Sequence, residues 1–339
     1  MSISRRSFLA ASTAGVIGGL ALNASAQSQV ALRVSSSMPA DSNAAHYAWF
    51  EAFRSRLQAS VGDRIRLDYF PNSQLGKESD VVQQVRVGSI DMMLTGSSIW
   101  ATAVPELGML DLGYMFDSFD HVARALDAGA GNALSKILKD RTGVTNLGWG
   151  FSFGARNVYS KTPITSLVEM RAVKLRVLPT PAFIQTFKIM GAIPTPIPVN
   201  ELYTALQTGV VDGFEHDAGT VLAQKFYEVT KHGFLTEHLF SPLTATIGRR
   251  GLDKVKDDLR PAFLKAAAEA TQAQRVVAVK AAADAIEELK RLGVSFSPLA
   301  AAERRDLQRQ MAEQLYAPFA QQYPPTKPIF DAVAATRSA

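Results

Sequence analysis

Residues 200–217 read NELYTALQTGVVDGFEHD. Leu202, Ala205 and Leu206 recur at helical spacing behind Asn200, a candidate N-cap, and Gly209 stops the helix. A strand then runs through Val210 and Val211 into Asp212, Glu215, His216 and Asp217. A strand that ends in four polar or charged residues marks the mouth of a pocket, a metal site or a catalytic cluster. The same succession stands 121 positions earlier, where DVVQQVRVGSID (residues 80–91) aligns with ELYTALQTGVVD (residues 201–212). Two similar α/β units would leave this echo, although helix, glycine and strand are common enough to recur by chance.

Outward from that pair the chain alternates. VALRVSSSM (residues 30–38) is a strand ending in serines, and AAHYAWFEAFRSRLQASVG is an amphipathic helix closed by Gly62. RIRLDYFP, ESDVVQQVRVG and SIDMMLTG continue as strand, helix and strand, which argues for an α/β unit with a largely parallel sheet. NLGWGFSFGARNVYSK begins a crossing, and VKLRVLP, FIQTFKIMGA, PTPIP and NELYTALQTG repeat the alternation. Residues 257–292 contain no glycine, and their only proline, Pro261, stands near the start, where a helix tolerates it. About 32 helical residues reach roughly 48 Å, more than the width of a small domain, so this helix is expected to cross both units. A dimeric coiled coil is the rival reading, but the apolar positions keep no clean heptad.

The 339 residues are enough for two domains. With 47% hydrophobic and 20% charged residues the composition is globular. The absence of cysteine excludes disulfides, zinc thiolates and thiol nucleophiles. Arg5 and Arg6 precede an apolar run rich in Ala and Gly, and Ala24-Ser25-Ala26 offers small residues for cleavage. This reads as a twin-arginine-like signal peptide over residues 1–26, cleaved after Ala26, and hence as a protein exported to the periplasm. Ala10 stands where such signals often carry Lys, which leaves the general secretory route open. Losing the two arginines takes the formal charge from +5 to +3, because residues 1–26 hold no Asp or Glu. The remaining basic residues alternate with acids, as in EELKRLG, and no basic stripe with interleaved aromatics points to nucleic acid.

Three motifs suggest enzymes and do not carry them. GFSFG (residues 150–154) matches the serine-hydrolase pattern around Ser152, but ARNVYSKTP follows as strand and turn where the nucleophile elbow needs a helix. GAGNAL lacks the third glycine of a dinucleotide fingerprint. The five histidines, His46, His121, His216, His232 and His238, include no i, i+4 pair, and Glu215 and His216 are expected on opposite faces of their strand. Two arginines are more informative. Arg176 lies inside the apolar strand VKLRVLP, and Arg156 follows Phe151 and Phe153. A guanidinium in such a strand is costly unless paired. Neither strand supplies its own acid, so a bound carboxylate, gripped in bidentate fashion, would fit.

PNSQLGKESDVVQQVRVGSIDM, KTPITSLVEMRAVKLRVLPTP and ELYTALQTGVVDGFEHD resemble the extracytoplasmic solute-binding subunits of tripartite ATP-independent periplasmic (TRAP) transporters. The resemblance runs over residues 32–330 and is most specific in Lys-Leu-Arg-Val-Leu-Pro and in Leu-Tyr-x-Ala-Leu-Gln-x-Gly-Val-Val-Asp-Gly. It implies an α/β, two-lobed, type II-like periplasmic binding protein with mixed sheets and one long helix spanning both lobes. Lobe I is expected over residues 27–152 plus 242–281, and lobe II over residues 153–241 plus 282–330. The family delivers its ligand to a membrane permease driven by an ion gradient. Arg176 falls on the arginine that grips the ligand carboxylate and Arg156 on a second, frequent one. Departures lie at Phe214, where Gln is usual, at His216, where Asn commonly touches ligand, and at Asp217, where Pro is common. Gly96 and Ile99 replace the acid and arginine of the sialic-acid branch, which disfavours that ligand.

The expected function is binding of a small carboxylate-bearing anion, a sugar acid such as a uronate, with no catalysis and no cofactor or metal. A C4-dicarboxylate or keto acid is the alternative within the fold, and an exported hydrolase the alternative outside it. Beside Arg176 and Arg156, the expected ligand contacts are His216, Glu78 at a helix start, and Ser36, Ser37 and His46 near the first strand end. Trp100, Trp149 and Phe151 are expected either to stack on a sugar face or to be core. The partners are the ligand and the permease, and the chain is expected to be a monomer or weak dimer.

Overall fold

The computed structural model describes residues 29–337, so the expected leader lies outside the described residues. Two mixed sheets form the framework. The first contains β1 (Val30–Ser36), β2 (Ile65–Phe70), β3 (Met92–Gly96), β4 (Thr145–Phe151) and β10 (Pro242–Ile247), in the order β2-β1-β3-β10-β4. The second contains β5 (Arg156–Ser160), β6 (Lys174–Val177), β7 (Ile193–Pro196), β8 (Gly213–Asp217), β9 (His232–Leu239) and β11 (Ser295–Pro298), in the order β11-β9-β5-β8-β6-β7.

The echo in the sequence is a repeated fold. In the first sheet β1 pairs in parallel with β2 and β3, and β3 pairs antiparallel with β10. In the second, β6 pairs in parallel with β7 and β8, and β8 pairs antiparallel with β5. The two helices that lead into β3 and β8, Glu78–Val87 and Val199–Gln207, are followed by Gly88 and Gly209, with φ of 80° and 78°. Both glycines take the left-handed conformation that a side chain resists. Asp91 and Asp212 then do the same work. The Asp91 carboxylate accepts the Arg33 amide at 2.8 Å and its carbonyl accepts the Gly248 amide at 2.9 Å. The Asp212 carboxylate accepts the Lys174 amide at 2.9 Å and its carbonyl the Lys161 amide at 3.1 Å. Each aspartate ties the start of its strand to two neighbours, so Asp212 belongs to the framework. Asn200 is not the N-cap, as the helix begins at Val199 after Pro198, whose φ of −57° feeds the first turn.

The chain passes between the sheets at residues 152–155 and at residues 240–241, where the Ser152 amide donates to the Ser241 carbonyl at 3.2 Å. A third connection is the 32-residue helix Arg260–Arg291, with Pro261 in its first turn. Phe263, Ala266, Ala267 and Ala270 pack with Leu32, Trp49 and Phe53 around the first sheet, while Ala285 and Leu289 join Tyr159, Leu202 and Phe214 around the second. The expected strut across both lobes is therefore present. It also covers the outer edge of β4, whose peptide groups would otherwise be unpaired. Gln274 receives the Phe151 amide at 2.9 Å and donates to the Phe151 carbonyl at 2.6 Å, and the Arg275 Nε donates to the Trp149 carbonyl at 2.7 Å. Gly148 makes this approach possible, since a Cβ there would stand 1.9 Å from the Thr271 hydroxyl oxygen.

Candidate functional site

Both faces of β5 and β8 are buried, although their sequences are RNVYS and GFEHD. Charges in such strands must be paired or must await a partner. Arg156 is paired. Its Nε lies 2.6 Å from Glu215 Oε2 and its Nη2 lies 2.7 Å from Oε1, a bidentate fork within a fully buried pair. Neither arginine's own strand carries an acid, but the expectation that a bound carboxylate would pair Arg156 is corrected. The acid comes from β8, which runs antiparallel to β5 and sets Val158 opposite Glu215. The His238 Nε2 stands 3.4 Å from the same carboxylate, with its Nδ1 2.8 Å from the Thr236 hydroxyl, and the Phe183 ring lies under the Arg156 guanidinium at 5.0 Å. Burial alone would raise the Glu215 carboxyl, but the Arg156 charge and the hydrogen bonds from His238 and Arg156 hold it at about 2.

Arg176 is different. It sits on β6 opposite Thr195 of β7 and Phe214 of β8, and none of its side chain is exposed. The Nε donates to the Ile197 carbonyl at 2.7 Å. Both Nη1 and Nη2 are buried without a partner among the described residues. Burial lowers the guanidinium to about 10, against the pull of Glu215, so it remains charged at neutral pH. An unpaired buried charge costs several kcal/mol in general. A carboxylate placed against the two free nitrogens would remove that cost.

A narrow cleft between the two sheets lies beside this cluster, with a cavity volume of about 50 Å³. His46, Glu78, Ser98 and Ile99 line it from one side, and Arg156, Leu178, His216, Asp217 and Thr220 from the other. The structure thus brings Arg156, His216, Glu78 and His46 to one cleft, whereas Arg176, on the strand next to that of His216, is not among its lining residues. Ser36 and Ser37 act one step back. The Ser36 hydroxyl lies 2.8 Å from His46 Nδ1, and Ser37 donates to Glu78 Oε1 at 2.9 Å, where Thr95 also donates at 2.6 Å. Across the rim Lys77 meets Glu201 at 2.5 Å, and Gln224 donates to the Ser37 carbonyl at 3.4 Å.

The aromatic expectations resolve to core. Trp100 is fully buried with Val81, Leu107 and Phe116, Trp149 donates to the Gly131 carbonyl at 3.1 Å, and Phe151 packs on Phe119 at 4.8 Å. None of the three lines the cleft. Trp149 and Phe151 are drawn away because β4 is the strand that the long helix covers. Phe214 also faces inward, against Tyr159 at 5.4 Å. Ser152 is a cleft residue, but its hydroxyl donates to the Gly154 carbonyl at 3.1 Å within a strand-to-strand crossing, which is no nucleophile elbow. Sequence reading missed Ser241, which lines the cleft at the second crossing with a buried hydroxyl that has no partner among the described residues, and Thr220. A serine in a short connection carries no periodic signal. Asp217 and Thr220 form a helix N-cap, in which Asp217 Oδ1 accepts the Thr220 amide at 2.9 Å, and the pattern Asp-x-x-Thr ahead of an apolar run was the available clue.

Comparison with known proteins agrees with this architecture. Residues 35–322 match the family described as bacterial extracellular solute-binding protein, family 7. The chain is 32% identical over 243 residues to the 2,3-diketo-L-gulonate-binding periplasmic protein YiaO of Escherichia coli K12, covering 71% of this chain and 74% of that one. A TRAP periplasmic solute-binding protein from Polaromonas sp. JS666, solved with D-erythronate, superimposes with a TM-score of 0.84 at 27% identity over 92% of this chain and 100% of the other. The sugar acid binding protein DctPAm of Advenella mimigardefordensis, solved with galactonate, gives a TM-score of 0.84 at 25% identity over 91% and 99% of the two chains.

Proposed function

This chain belongs to family 7 of the bacterial extracellular solute-binding proteins, and on that premise we propose that it captures a sugar acid between its two lobes for a TRAP permease. The family is one of periplasmic transport components and is not an enzyme family. No helix among the described residues is long and apolar enough to cross a membrane. The observation that carries the reading is Arg176, a buried guanidinium on β6, beside the strand whose His216 and Asp217 line the cleft, with two nitrogens that have no partner among the described residues. Its ligand is the carboxylate, while Glu78, His46, His216 and Ser241 meet hydroxyl and ring oxygens. The relatives solved with galactonate and D-erythronate, and the diketo-gulonate-binding one, support a hydroxylated monocarboxylate.

The lobes are taken as residues 27–152 plus 242–281 and residues 153–241 plus 282–330, hinged at the two crossings, with the leader removed after Ala26 and the mature protein a monomer or weak dimer. Ligand binds the closed arrangement better and shifts the population towards it. A thermal-shift screen of the mature protein against uronates, aldonates, C4-dicarboxylates and simple keto acids tests the reading. Stabilisation by a uronate or aldonate is expected. Stabilisation by C4-dicarboxylates alone would contradict it.

A further inference from the structure

His46 and His216 stand on opposite lobes and line the same cleft, and both use Nδ1 for a contact inside their own lobe. Among the described residues neither Nε2 has a hydrogen-bond partner, and neither is a fully buried orphan. What each Nε2 offers a ligand is therefore set by which proton Nδ1 holds.

For His46 the neighbour is the Ser36 hydroxyl, at 2.8 Å. That hydroxyl already accepts the Met38 amide at 3.0 Å. Were Nδ1 the donor, that hydroxyl's own proton would be left without a good acceptor, since the Met38 carbonyl lies at 3.4 Å and the neighbouring Tyr69 hydroxyl makes no hydrogen bond with it among the described residues. Ser36 therefore donates to Nδ1, and the ring proton of His46 sits on Nε2.

For His216 the neighbour is Asp217, whose Oδ2 lies 2.8 Å from Nδ1. The Asp217 amide also approaches Nδ1, at 3.1 Å, and the two contacts require opposite protonation. The carboxylate decides. Burial would raise it, but His216, Arg156 and the Thr220 amide hold it at about 2, so it is ionised and can only accept. A charge-assisted bond is about twice as strong as a neutral one. The remaining contacts of Asp217, from the Thr220 amide at 2.9 Å and the Thr220 hydroxyl at 3.0 Å, fix the carboxylate in place. Nδ1 carries the proton, and Nε2 is bare.

We propose that His46 and His216 face the bound solute as opposite neutral tautomers, His46 as an Nε2–H donor and His216 as an Nε2 acceptor. Both rings stay neutral at working pH. Burial holds His46 at about 3, against the pull of Asp217, and burial followed by the Arg156 charge lowers His216, against Asp217 and Glu215. The pair is set before closure, because each anchoring contact lies within one lobe. The solute must then carry a hydrogen where it meets His216, and an oxygen lone pair where it meets His46. A hydroxyl satisfies His216, whereas a keto oxygen at that position sets two lone pairs against each other. The inference rests on sugar-acid capture and narrows it to acids hydroxylated at the carbon facing His216.

Two-bond proton–nitrogen correlation spectra of the ligand-free mature protein at neutral pH read both tautomers directly. His46 protonated at Nε2 and His216 protonated at Nδ1 is the expected result, and either ring in the other form or doubly protonated overturns the proposal. Asp217→Asn keeps a capping side chain and removes the charge, and it should turn the His216 signal into a mixture of forms. An unchanged His216 tautomer there counts against the anchor. Once a sugar acid is found, comparing it with its keto counterpart by calorimetry should show at least about tenfold weaker binding of the keto form when the changed carbon faces His216. In His216→Gln, whose amide both donates and accepts, that gap should shrink to about threefold or less. An undiminished gap overturns the proposal. Failure of every sugar acid to bind would contradict the proposed function while leaving the tautomers measurable.

Discussion

Arg156 and Arg176 flank the same strand, β8, and meet opposite fates: the first is closed by Glu215 on that strand, and the second has two guanidinium nitrogens with no partner among the described residues. On the proposed reading the difference divides labour at the cleft: Arg156, already neutralised, would orient and polarise at little further cost, and Arg176 is the one whose charge the solute would complete.

Removing Glu215 tests the first half. Glu215→Ala leaves Arg156 buried and uncompensated, and the expected loss of stability is about 3–5 kcal/mol. Urea unfolding with and without ligand would show it. Replacing both members, as Arg156→Met with Glu215→Leu, should cost much less than the single change, since an apolar pair of similar volume removes the orphaned charge. Equal losses in the single and double variants would mean that packing, not charge, dominates there.

Acid should weaken the fold well above the carboxylate range. The His46 ring falls from 6.5 to about 3 in the folded protein because burial disfavours its charged form. Below 6.5 the unfolded chain binds a proton that the folded one refuses, so stability rises with pH across that window and is lost as pH falls through it. The slope is about 1.4 kcal/mol per pH unit for one such ring. His216 and His238 are also lowered, by burial first, and add in the same sense. Glu215 and Asp217, both at about 2, contribute stability that is lost only below about pH 4. Chemical denaturation at pH 7, 6, 5 and 4 checks this, and His46→Gln should flatten the upper part of the curve.

The long helix depends on a missing side chain. Gly148→Ala places a methyl 1.9 Å from the Thr271 oxygen, which itself accepts the Trp49 indole proton at 2.9 Å. Helix and strand must separate, at about 1–3 kcal/mol. Thermal unfolding should register a lower midpoint, and pairing the change with Thr271→Ala should restore part of it.

Much of the fold was legible because it rests on local signals. Glycine stops, an apolar period and 32 residues of helix formers in Arg260–Arg291 with one early proline are visible in a single sequence. Arg176 was legible for a related reason, since a lone guanidinium between Leu175 and Val177 has no local explanation. Glu215 as the partner of Arg156 was not, because the two are 59 residues apart and meet only through the pairing of β5 with β8. Trp149 and Phe151 misled for the same reason. Their strand edge is bound by Gln274 and Arg275, more than 120 residues away in the chain, and that contact turns the local aromatics into core.

Calorimetric titration of Arg176→Ala and Arg176→Lys with the solute that the thermal-shift screen identifies bears on the central claim most directly. The alanine variant should lose about 3–5 kcal/mol, roughly two to three and a half decades of affinity. The lysine variant should also bind more weakly than the native protein, because a point charge cannot reproduce the fork. Binding within about twofold of the native protein in the alanine variant, with the fold intact by circular dichroism, would contradict the account.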